Sequence, residues 1–185
     1  ARARAEAGVT TPEPLLWAES EDMRGPAWYV CRLVDGVEAR YPFRALAAGT
    51  IEGDFPELPA AELLAAVAST ALRLHEAGFW HRDLSAGNLL LYRQDGELAA
   101  SVVDLNRCRR VARLSLSQRL RDLARVPVHR EADQQMLLRA YFAGAAGSDA
   151  SQPRVESVPL AELPARAWRL YRLYHRSFHG RHRLK

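Results

Sequence analysis

Asp83, Asn88 and Asp104 are the residues whose types and spacing are best suited to chemistry. The first two bound the segment Asp83-Leu84-Ser85-Ala86-Gly87-Asn88, which follows His81-Arg82, and the third ends Val102-Val103-Asp104. A carboxylate at the head of such a loop can take or orient the proton of an attacking hydroxyl. An asparagine at its far end and a second carboxylate further on offer hard oxygen ligands to a divalent cation that carries phosphate. The chemistry such a set suits is phosphoryl transfer from magnesium-bound ATP, with Asp83 as the candidate catalytic base and Asn88 and Asp104 as candidate metal ligands. Singly, each residue has an ordinary reading: Asp83 as a helix cap, Asn88 as a turn residue, Asp104 as a strand end. Jointly, in the order helix, loop, hairpin, aspartate, they read as one site.

The flanking pattern supplies the elements that must hold this site. Pro59 suits a first helical turn, and Leu63, Val67, Ala71 and Leu74 recur at helical spacing, so a long buried helix is predicted over 59–77 with Gly78 as its stop. It delivers the chain through Phe79-Trp80 into the loop. Asp95-Gly96 between the apolar runs 89–92 and 98–103 predicts a hairpin with a tight two-residue turn. His81 and Arg82 read as architecture around the loop, and His75 as a partly exposed histidine on the helix surface.

Upstream, 1–7 is helix-prone and ends at Gly8, and Thr11-Pro12-Glu13-Pro14 forces an extended path. Strands are predicted at 15–18 and 27–34, an antiparallel pair closed by Asp35-Gly36. Pro42, Gly49, Gly53 and Pro56 leave room between 37 and 58 for a short helix at 43–48 and a loop. Downstream, helices are predicted at 117–125 and 131–142, a small-residue loop at 144–153, and an Arg- and aromatic-rich amphipathic helix at 160–178. Trp168, Tyr171 and Tyr174 read as the buried face of that last helix. His175, His179 and His182 lie among Arg172, Arg176, Arg181 and Arg183, and read as a basic tail rather than a metal site.

Composition narrows the class. The 185 residues suit one domain or the larger lobe of a bilobal one. A 48% hydrophobic and 26% charged chain is that of a folded protein rather than a disordered one. The net charge is +4, yet of 26 basic residues the only lysine is Lys185, a bias that reflects genomic base composition. Arginine forks are compatible with an anionic substrate or a phospholipid surface; no nucleic-acid partner is expected. Cys31 and Cys108 form no Cys-x-x-Cys pair and fit a reducing cytoplasm. The longest apolar stretch, 63–72, contains Ser69 and Thr70 and is too short to span a bilayer, so a cytoplasmic protein is expected, with at most peripheral contact to an anionic inner membrane. The opening Ala1-Arg2-Ala3-Arg4 looks like the end of a helix begun upstream.

The segment His81 to Asn88, together with Val103-Asp104-Leu105-Asn106-Arg107-Cys108-Arg109, resembles the lipopolysaccharide kinase family, protein-kinase-like enzymes that phosphorylate core sugars of bacterial lipopolysaccharide. The resemblance runs over about residues 8–122. It implies an α+β, protein-kinase-like fold, mostly the helical C-lobe with the last strands of the N-lobe. Residues 1–34 would be an N-lobe remnant of helix end, two strands and hinge, and 35–185 the C-lobe with the catalytic loop. It further implies ATP and magnesium as cofactors, backbone groups near Arg32 and Val34 meeting adenine, Leu90 as the floor beneath the base, and Asp122 as a buried helix aspartate bracing the loop.

Departures sharpen the expectation. Ser85 stands where serine and threonine kinases usually place a lysine and no Ala-Pro-Glu follows Asp104, which together point away from a peptide substrate and toward a sugar hydroxyl of lipopolysaccharide core or a related glycolipid, while Asn106 in place of the expected glycine speaks against the mobile switch of regulated kinases and not against metal binding. No Gly-x-Gly-x-x-Gly occurs, and no strand lysine is available. Either the first N-lobe strands precede this chain, or it is a non-catalytic pseudokinase or truncated kinase lobe that serves as an interaction module. An atypical protein kinase or small-molecule kinase shares the same loop.

Overall fold

The computed structural model describes residues 9–20, 25, 27–147 and 163–180. The helix expected at 1–7, His182 and Lys185 lie outside them. β1 (Pro14–Ala18) pairs antiparallel with β2 (Trp28–Cys31). The second strand is shorter than expected because 32–36 leave the ladder after a last backbone bond from the Arg32 amide to the Glu13 carbonyl at 2.8 Å. Leu15, Leu16, Trp17, Trp28, Tyr29 and Val30 are exposed on this ribbon.

β3 (Val37–Glu38), β5 (Leu89–Gln94) and β6 (Glu97–Val102) form an antiparallel sheet with β5 in the middle. Leu89 faces Val102 and Gln94 faces Glu97, which closes the hairpin through Asp95 and Gly96 at φ 52° and 85°. Two successive positive φ values are what an Asp-Gly turn accommodates. β4 (Phe79–Trp80) pairs with β7 (Arg109–Arg110).

Helix α1 (Arg40–Ala48) begins earlier than predicted, since Pro42 falls in the first turn, where its missing N–H costs no helical bond. It ends at Gly49, φ 77°, and is followed by the one-turn α2 (Ile51–Asp54). Helix α3 (Ala60–Glu76) fills the centre: Leu63, Leu64, Val67, Ala68, Ala71 and Leu74 are all at 0% exposure. The predicted stripe is buried, with α5 (Glu131–Gly147) on one side and β6 on the other. Close approach of α3 and α5 is why the predicted loop at 144 is helix instead. A Cβ on Gly144 would lie 2.8 Å from Leu72 Cδ2, so glycine lets the two helices meet here without a shift of that side chain, while an alanine-rich sequence keeps the helix going to Gly147.

Helix α4 (Leu116–Leu123) starts with a capping box between Ser115 and Gln118. Helix α6 (Leu163–His179) packs on it, burying Ala167 and Tyr171, with Ser117 Oγ 2.7 Å from Tyr174 Oη. The core therefore runs from α1 through α3 to α4, α5 and α6 beneath the sheet.

Candidate active site

Gly78 makes the turn from α3 into β4. Its φ is 78°, and a Cβ there would lie 2.7 Å from the Val111 carbonyl oxygen. The Val111 amide donates back to the Gly78 carbonyl at 2.8 Å, which fixes where the chain enters the loop. At the entrance both carboxylate oxygens of Asp122 are used. Oδ2 accepts from the His81 amide and Oδ1 from the Arg82 amide, each at 2.8 Å. Arg82 is held at φ 70°, a left-handed conformation that costs a non-glycine residue about 1–2 kcal/mol. Two hydrogen bonds to a buried carboxylate, at about 1.5–3 kcal/mol each, offset it.

Asp122 is fully buried, and so is His75, whose Nε2 lies 3.3 Å from Asp122 Oδ2. The sequence reading of His75 as partly exposed is corrected here: its ring sits under the loop because α5 covers that face of α3 with Tyr141. Arg119 Nη1 donates to Tyr141 Oη at 2.9 Å, so the tyrosine O–H is left to donate to His75 Nδ1 at 2.8 Å. Nε2 then carries the proton toward Asp122. Burial, outweighing the carboxylate, holds the His75 pKa below its usual value, consistent with this neutral ring.

His81 performs the equivalent service inside the loop. The Asp83 amide donates to its Nδ1 at 3.3 Å, so Nε2 bears the hydrogen and donates to the Val103 carbonyl at 3.2 Å. The ring is fully buried, and burial again lowers its pKa, keeping the acceptor nitrogen unprotonated. One imidazole thus joins the backbone of Asp83 to the residue before Asp104.

Asn88 closes the same circuit. Its Nδ2 donates to the Asp83 carbonyl at 2.8 Å, and its own carbonyl accepts the Val103 amide at 2.9 Å. That last bond ends the hairpin and turns Asp104 out of the strand. Asp104 lies just past the strand, exposed at φ 50° at the head of the 3-10 turn Leu105–Arg107. With Nδ2 committed, Asn88 has Oδ1 to offer, and Asp104 its carboxylate. Two oxygen donors on adjoining backbones fit magnesium, which commonly takes one or two protein oxygens besides phosphate and water. Among the described residues no group of three or more His, Cys, Asp or Glu is gathered for a metal. The rings of His175 and His179 lie tilted with centroids 4.4 Å apart, and each meets His129 edge-on.

Two residues that the sequence reading overlooked stand beside Asp83. Arg107 Nη1 lies 3.3 Å from Oδ2 and Arg125 Nη1 lies 3.4 Å from Oδ1. Their signal was present: each follows by three positions an aspartate already singled out, Asp104 and Asp122. They bring cations to a loop that carries none between Asp83 and Asn88. None of the bonds around Asp83 involves Arg32, Val34 or Leu90, the residues expected near adenine. Arg32 is exposed and paired with Glu13 at 2.7 Å, its amide committed to the Glu13 carbonyl; Val34 and Leu90 are half-buried, Leu90 standing opposite Glu38 and Ser101 in the sheet.

A long buried helix, a clamped loop, a hairpin and an outward-turned aspartate are the arrangement of the protein-kinase-like fold. The model of the lipopolysaccharide kinase (Kdo/WaaP) family matches residues 2–141, and the chain belongs to that family. Among solved structures it is similar to one described as WaaP in complex with acyl carrier protein, with a TM-score of 0.65 and 22% identity, covering 97% of this chain and 72% of that one. The likeness bears out the α+β kinase-like fold read from the sequence. No curated protein sequence matches the chain. Among the described residues no helix is long and apolar enough to cross a membrane.

Proposed function

We propose that the protein is a phosphotransferase that moves a phosphoryl group from ATP to a sugar hydroxyl of lipopolysaccharide core or a related glycolipid. The observation that carries this is the Asp83, Asn88 and Val103 circuit, in which the Asn88 side chain donates to the backbone of the base at 2.8 Å and the Asn88 backbone accepts at 2.9 Å from the residue before Asp104. Bound magnesium-ATP supplies the transferable phosphoryl group and neutralises its charge. Asp83 accepts the proton of the acceptor hydroxyl at its carboxylate. Asn88 Oδ1 and the Asp104 carboxylate hold the cation, while His81 and Arg82, anchored by Asp122, keep the loop from shifting. Arg32, Val34 and Leu90 border the adenine.

The family supports the substrate class. Residues 1–34 then belong to the N-lobe and 35–185 to the C-lobe, and the work is done in the cytoplasm with peripheral contact to the anionic inner membrane. A second reading, a pseudokinase acting as an interaction module, is supported by the lone lysine at position 185 and the missing glycine-rich motif.

The test is phosphate transfer to core oligosaccharide by the full-length protein, with Asp83→Asn and Asp104→Ala beside the parent. Loss of about 100-fold or more in both variants is expected. Equal turnover in all three sinks the assignment. No transfer, together with no magnesium-dependent stabilisation by ATP, establishes the module reading instead.

A further inference from the structure

The family match ends at residue 141, and helix α6 begins at Leu163. Its last turn nevertheless reaches the segment after α4 that contacts the loop. His179 Nε2 lies 3.0 Å from the Ala124 carbonyl oxygen, which seats the end of α6 on the segment after α4. One residue back, the Phe178 ring lies beneath the Arg125 guanidinium, with 4.3 Å between the ring centroid and the guanidinium carbon. That guanidinium is the one 3.4 Å from Asp83 Oδ1. The Arg125 amide donates to the Asp122 carbonyl at 3.0 Å. The same short segment therefore clamps the loop backbone through Asp122 and touches the Asp83 carboxylate through Arg125.

An aspartate carboxylate turns readily about its last torsion, so hydrogen bonds within the loop do not by themselves decide which way its oxygens face. A planar cation fixed on one oxygen does decide it, provided the cation is itself fixed. Arg125 meets that condition better than Arg107: its side chain is 29% exposed against 66%. Stacking on an aromatic face restrains a guanidinium in a plane.

We propose that Arg125 is a positioning residue for Asp83 and that Phe178 holds Arg125 in place, so that the last helix, beyond the family match, is a working part of the candidate site. The inference rests on Asp83 being the base. With Oδ1 held by Arg125, the oxygen left to the acceptor hydroxyl is Oδ2, whose neighbour at 3.3 Å, Arg107, is the more exposed and less restrained of the two arginines.

The experiment compares full-length parent, Arg125→Gln, Arg125→Lys, Phe178→Ala and Trp168→Leu. Read out are kcat, KM for core oligosaccharide, magnesium-ATP affinity by calorimetry, and Tm. Trp168 stacks on Tyr171 in the first half of α6, so its replacement loosens the helix away from Arg125. A misplaced catalytic group costs up to about 100-fold. Arg125→Gln is expected to approach that loss in kcat with KM and nucleotide affinity within about twofold. Arg125→Lys recovers part of it by keeping the charge. Phe178→Ala loses about 10-fold, while Trp168→Leu keeps its kcat at a comparable fall in Tm. Parental kcat in Arg125→Gln or Phe178→Ala overturns the inference, as does an equal loss in Trp168→Leu. A parent that binds nucleotide but transfers no phosphate overturns the reading of Asp83 as base, and the inference with it.

Discussion

His75 and Asp122 meet inside the protein at 3.3 Å, Nε2 to Oδ2, with both side chains fully buried. Behind the histidine stand Tyr141 and Arg119; in front of the aspartate stand the amides of His81 and Arg82. Replacing His75 by alanine removes a donor from a buried carboxylate, leaves the Tyr141 hydroxyl without its acceptor and opens a cavity. The expected loss is about 2–4 kcal/mol in urea unfolding. A change below about 1 kcal/mol would mean that the chain from Arg119 to Asp122 does not stabilise the fold.

The backbone of Arg82 yields a sharper contrast. At φ 70° glycine is unstrained and a β-branched side chain is not. Arg82→Gly loses the cation–π contact with Trp80, 5.4 Å from the ring centroid, yet gains the strain relief, so Tm should move by no more than a few degrees. Arg82→Val is expected to be at least about 2 kcal/mol less stable than Arg82→Gly. Equal Tm values for the two would show that the loop relaxes away from this conformation in solution.

Gly78 carries both a left-handed φ of 78° and a close carbonyl, so its replacement tests the loop entrance from the other side. A Cβ 2.7 Å from the Val111 oxygen cannot be accommodated unless one strand of the β4–β7 pair moves. Gly78→Ala should cost about 2 kcal/mol or more, whereas Gly96→Ala, also at positive φ but facing open space, should cost about 1 kcal/mol. Thermal unfolding of the two variants separates strain from collision; equal losses would show that the Val111 contact contributes nothing.

What the sequence made legible was local. The apolar spacing of Leu63, Val67, Ala71 and Leu74 needed only helical periodicity, and Asp95-Gly96 only turn chemistry; both elements stand where they were expected. The loop from His81 to Asn88 stood out because a phosphoryl-transfer reading ties its residue types to a few positions. What escaped depended on distant partners. His75 is buried by Tyr141, 66 positions away, and Arg125 meets Asp83 across 42. No local pattern marks a histidine that will be covered by a later helix. Asp104 shows the same limit at short range: its turn out of the strand follows from Val103 bonding Asn88, a pairing set by the folded loop.

His175 makes stability depend on pH. Its residue is 8% exposed, and burial first, then the neighbouring His179 and His129, push its pKa down to about 4, against the smaller opposing pull of the Val128 carbonyl. In the unfolded chain it titrates near the ordinary value of about 6.5. Between these two values the unfolded state binds the proton and the native state does not, so stability rises with pH across the window and is lost as pH falls from about 6.5 toward 4. The lowered values of His75 and His81 act in the same direction, so the fall is not due to His175 alone. His175→Phe keeps a ring against Tyr171, whose centroid lies 5.6 Å away, and removes the titration. Urea unfolding at pH 7 and pH 4.5 should show a smaller loss of stability on acidification in His175→Phe than in the parent. The same loss in both would place the titration elsewhere and show that the His175 ring takes up its proton as readily folded as unfolded.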